Sequence, residues 1–76
     1  MRGHRWRGAL LIVPARTPAG SATQVTFGLI DTTDGLMRAI RVGTDGEPAI
    51  LPRQAMAELV SHAQSMLAHD LPGDRR

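Results

Sequence analysis

One segment of this chain has the periodicity of a helix, three or four have that of strands, and the strands are apolar on both sides. From Pro52 to about His69, the residues Met56, Leu59, Val60, Ala63 and Leu67 recur at helical spacing, with Met66 beside them. From Thr23 to Asp31 the pattern alternates: Val25, Phe27 and Leu29 fall on one side, Gln24, Thr26, Gly28 and Ile30 on the other. That is the period of a strand. A single helix shields a single sheet face, so this imbalance constrains every further reading.

The remaining elements follow from turn chemistry. Residues 8–16 contain the apolar run Leu10, Leu11, Ile12, Val13, closed by Pro14, which confines the strand to an edge or ends it there. Pro18, Gly20 and Ser21 make residues 17–22 a loop. Asp31 to Gly35 is a hairpin connection, because Asp and Gly tolerate the turn conformations required. Leu36 to Val42 reads as the next strand. A helix there would group Leu36, Met37 and Ile40, but seven residues are short for one and the flanking Asp-Gly turns favour a meander. Residues 44–47 turn again, and 48–51 form a brief fourth strand. Pro52 suits the first turn of the helix, and the Leu71-Pro72-Gly73 segment stops it.

The fold class expected is therefore α+β: a three- to four-stranded antiparallel sheet followed by one C-terminal amphipathic helix, in two layers. Residues 1–76 form one small domain. Residues 1–7 are a basic arm or strand start, 8–51 the meander, 52–69 the helix and 70–76 a frayed tail. Ten of the 32 hydrophobic residues are Ala, which leaves 22 larger side chains to build a core. A domain near this size hides only about 60% of its unfolded surface. With no Cys, disulfides cannot supplement that core.

Several apolar groups are expected to stay uncovered by the helix. Leu10 and Ile12 lie opposite Leu11 and Val13, Ile30 lies opposite Phe27, and Met37 lies opposite Ile40. Leaving such groups wet forfeits roughly 1.5–3 kcal/mol per large side chain. The simplest cover is a second copy, so a homodimer is expected with Leu10, Ile12, Ile30 and Met37 at its interface. The competing cover is the chain's own N-terminal arm or C-terminal tail, folded back over that face. Gly28, in the middle of the best strand, marks a bulge or a close approach; a bend that curls the sheet around the helix is the preferred reading.

Charge is distributed unevenly. Nine Arg, no Lys and seven acids give a net charge of +2. Lys, Asn and Tyr, all encoded by AT-rich codons, are absent together, so the Arg content partly reflects a GC-rich genome. The excess is local: residues 1–20 hold Arg2, Arg5, Arg7 and Arg16 and no acid, while 21–47 hold four acids against Arg38 and Arg41. Arg2, Arg5, Trp6 and Arg7 are the candidate nucleic-acid site, since Arg makes bidentate phosphate contacts and an indole stacks on bases. The bland counterpart has Trp6 on the core and the arginines solvated.

Catalytic and metal-binding patterns are weak. None of Ser21, Ser61 and Ser65 sits in a Gly-flanked elbow, and the glycines form no phosphate-cradling motif. Glu58 and His62 share a helix face, but His69 lies nearly two turns further on, and two ligands do not make a zinc site. No cofactor, metal or enzymatic activity is expected. No apolar run approaches the roughly 20 residues that span a bilayer. The stretch Ala9–Val13 is also shorter than the about 7–15 residues of a secretory leader. The N-terminal residues are therefore expected to belong to the fold, and the protein to the cytoplasm. The strand–strand–strand–helix order resembles that of several unrelated small domains, some of which bind single-stranded DNA. The expected function is protein–protein interaction by a homodimeric adaptor or inhibitor, with another protein as a further partner; the alternative is nucleic-acid binding through the Arg/Trp-rich N-terminus.

Overall fold

A computed structural model describes residues 5–75; residues 1–4, Arg2 among them, lie outside the described residues. Four antiparallel strands stand in chain order, β1 (Trp6–Arg16), β2 (Ala22–Thr32), β3 (Gly35–Val42) and β4 (Ala49–Ile50). They are followed by α1 (Arg53–Leu67) and a 3₁₀ turn at Pro72–Arg75. This is the α+β meander-and-helix that the sequence periodicities predict. Within the tail expected to fray from residue 70, residues 72–75 form the 3₁₀ turn, with the Asp74 N–H donating to the Leu71 carbonyl at 3.0 Å.

Local chemistry sets the turns. Thr32 pairs with Gly35 across a two-residue loop, and Gly35 adopts φ +100°, a conformation open to Gly. The Thr32 hydroxyl closes this turn twice. It donates to the Gly35 carbonyl at 2.8 Å and accepts from the Asp34 N–H at 3.0 Å. Pro48 and Pro52 bracket β4 and hold it to two residues. One further bond, Leu51 N–H to Arg38 carbonyl at 2.8 Å, ties its end to β3.

Register assigns the faces. Thr26, Gly28 and Ile30 of β2 pair with Arg41, Ala39 and Met37 of β3, and Ala39 pairs with Ile50. Val25, Phe27 and Leu29 share the other face with Val42, Ile40 and Arg38. The three buried side chains among the described residues, Ile30, Ala39 and Thr26, are each 1% exposed and all lie on the first face. Phe27, Val25 and Leu29 are only half-buried. The expected division is thus reversed: the face thought to need a second copy holds the most protected residues, and Ile30 is not available as an interface residue. Met37 beside it is half-buried.

Over Gly28, on that face, lies a side chain of the chain's own N-terminal strand. β1 pairs with β2 through two register shifts, between Trp6 and Gly8 and between Gly8 and Leu11. Bulges of this kind re-aim side chains, and here the Trp6 ring is laid over Gly28. A Cβ built at position 28 would meet Trp6 Cε3 at 2.8 Å and the Gly8 carbonyl oxygen at 3.2 Å. Gly28 therefore provides room for an indole, where a bend was expected.

The helix is lightly held. Ala55, Met56 and Leu59 are half-buried, and no α1 residue is buried. Its N-terminus at Pro52 has no side-chain cap, and the Met56 N–H donates to the Pro52 carbonyl at 2.9 Å. The radius of gyration is 14.3 Å, against about 11 Å for a compact chain of this length.

Candidate interaction surface

β1 is one edge of the sheet, and its central residues are open on both sides. Leu10 is 54% exposed, Leu11 58%, Ile12 51% and Val13 38%. Leu11 and Val13 share a face with Phe27 and Val25, while Ile12 shares the opposite face with Thr26. The segment is an unbroken apolar run without a charged residue. Natural edge strands are usually guarded by charges, Pro or bulges. Here the guards stand at the two ends, Pro14 on one side and Ala9 on the other. Ala9 has φ +52°, left-handed for a residue with a Cβ.

The patch continues toward the helix. Val13, Ala63, Met66, Leu67, Leu71 and Asp74 line an open hollow of about 720 Å³. Met66 and Leu67 at the end of α1 are exposed. Helical spacing placed both on the apolar stripe, yet the sheet does not reach them.

The N-terminal cations are partly engaged within the chain. The Arg7 guanidinium pairs with the Asp31 carboxylate at 3.2 Å. Trp6 packs on Gly28, and the Arg41 guanidinium lies 5.6 Å from the centre of its ring. Arg41 also donates through Nε to the Gly43 carbonyl at 3.2 Å. Arg5 is exposed. The structure thus separates the candidate set: Arg7 is turned to a neighbouring acid and Trp6 to the sheet. Arg41, a partner of Trp6, escaped the sequence reading, because its approach depends on register shifts that no pattern in residues 6–13 announces.

On the helix, the Gln54 side-chain amide donates to the Glu58 carboxylate at 3.2 Å. Among the described residues no three His, Asp or Glu side chains are grouped to hold a metal ion. Nor, among them, is any helix long and apolar enough to cross a membrane. No protein-family model matches the chain, and neither the curated proteins nor the solved structures include a significant match to it.

Proposed function

We propose that this protein is a non-catalytic binding protein that works as a homodimer, through an apolar surface centred on the β1 edge. The single observation that carries the reading is the surface left over after folding. The chain exposes 6141 Å², whereas a compact monomer of this mass exposes about 4,500 Å². The excess is about a third of that value, and exposed Leu10–Val13, Met66 and Leu67 contribute to it. Obligate homodimers bury roughly 1,000–2,500 Å² on each subunit, and the exposed apolar side chains of β1 and of the end of α1 are what such an interface would cover.

Burial within the chain supports the same reading. Only Ile30 and Ala39 among the described apolar residues are fully protected, which is little for an independent domain near the lower size limit. Association that stabilises the folded chain makes unfolding depend on protein concentration. The test is urea denaturation at two concentrations about a hundredfold apart. The expected result is a midpoint that rises with concentration, and a midpoint that stays fixed overturns the reading.

A further inference from the structure

Resting on that homodimer reading, we infer that the second copy docks on the outer edge of β1, pairing antiparallel about a two-fold axis at Leu11 to make one continuous eight-stranded sheet. The choice of edge follows from the topology. β1 and β4 are the two ends of the sheet. β4 offers two residues and leads through Pro52 into α1, whereas β1 is an 11-residue strand with an open outer side. Its apolar centre exposes Leu10 and Ile12 on one face and Leu11 and Val13 on the other, so a neighbouring strand would cover both faces together.

Pro14 fixes which backbone groups point outward. It pairs with Gln24 inside the β1–β2 ladder, and a Pro is accommodated there with its nitrogen toward the free edge, where no N–H is required. Outward and inward groups alternate along an antiparallel strand. Ile12 and Leu10 therefore present their N–H and C=O groups outward with Pro14, and Leu11 and Val13 direct theirs to β2.

The register follows from the same residue. Pairing Ile12 with Ile12 of a second copy sets the Leu10 carbonyl against the Pro14 nitrogen, which has no hydrogen to donate. Pairing Leu10 with Ile12 in both directions satisfies all the outward groups of these two residues. The bulge at Ala9 and the ring of Pro14 then bound the joint at either end. In that register Leu11 faces its symmetry mate in a non-hydrogen-bonded pair, the closer type, with Cα atoms about 4.5 Å apart. A two-fold axis normal to the sheet keeps both hollows beside Val13 on one side of the joint. Met66 and Leu67 of each copy thereby extend the covered area beyond the strands.

A cysteine-free chain makes the test direct. Leu11→Cys and, as a control on exposed β3, Val42→Cys are each oxidised under mild conditions, and covalent dimer is read on a non-reducing gel. Light scattering on the reduced proteins reports association separately. The expected result is a reduced L11C dimer that becomes mostly cross-linked, at several times the yield of V42C. A dimer by scattering whose L11C yield does not exceed that of V42C overturns the edge-to-edge joint and leaves the homodimer reading standing. A monomer by scattering, with no cross-linking in either variant, overturns both.

Discussion

The Trp6 indole occupies the space that a side chain at position 28 would need. Two of the three atoms nearest a Cβ at Gly28 belong to that ring, and the third is a backbone oxygen. A rigid ring and a backbone cannot yield as the end of a flexible chain does. Gly28→Ala is expected to destabilise the fold by about 1–3 kcal/mol, the usual range for overpacking. On a Trp6→Ala background most of that loss should vanish. A double-mutant cycle by urea denaturation checks this, and additive losses would show that the ring does not set the cost.

Arg41 contacts the same ring. Its guanidinium combines a ring contact at 5.6 Å with a hydrogen bond to the Gly43 carbonyl. A partly exposed cation–π contact contributes about 0.5–1 kcal/mol. Arg41→Lys loses the planar donor geometry and is expected to forfeit a similar amount. Trp6 is the only Trp and the chain has no Tyr, so its emission reports this contact directly. The R41K spectrum should shift; one identical to the wild type would contradict the contact.

Ala9 carries strain that glycine would release. A left-handed residue with a Cβ costs roughly 1–2 kcal/mol, and the extra chain entropy of glycine returns about 0.5–1 kcal/mol of that. Ala9→Gly is therefore expected to stabilise by about 0.5–1 kcal/mol, read as a higher urea midpoint at fixed protein concentration. An unchanged or lower midpoint would remove the strain from the account.

The Arg7–Asp31 pair is half-exposed on both sides. Such pairs contribute at most about 1 kcal/mol and are screened by salt. With Arg7 so engaged and Trp6 packed on the sheet, labelled single- and double-stranded oligonucleotides at micromolar protein are expected to show no salt-sensitive binding. Salt-sensitive binding lost in Arg5→Ala would move the function to nucleic acid.

Legibility followed periodicity. β2 alternates cleanly, Asp34-Gly35 is a strong hairpin signal, and the helix repeats at its own spacing, so these elements and the fold class could be read from the residues. β1 could be recognised as a strand, but its facing could not. Leu10 to Val13 is apolar at every position, and a run without alternation carries no information on register. Two register shifts separate Trp6 from Leu11, and the second contains a left-handed Ala9 that no glycine at that position announces. Ile30, expected at an interface, is instead buried within the chain. Leu10 and Ile12, from the same interface set, remain exposed.

Sedimentation equilibrium of the wild-type chain at micromolar concentration decides whether the folded protein is a homodimer. A homodimer gives a mass twice the 8.2 kDa of one chain. A single species at 8.2 kDa would contradict it.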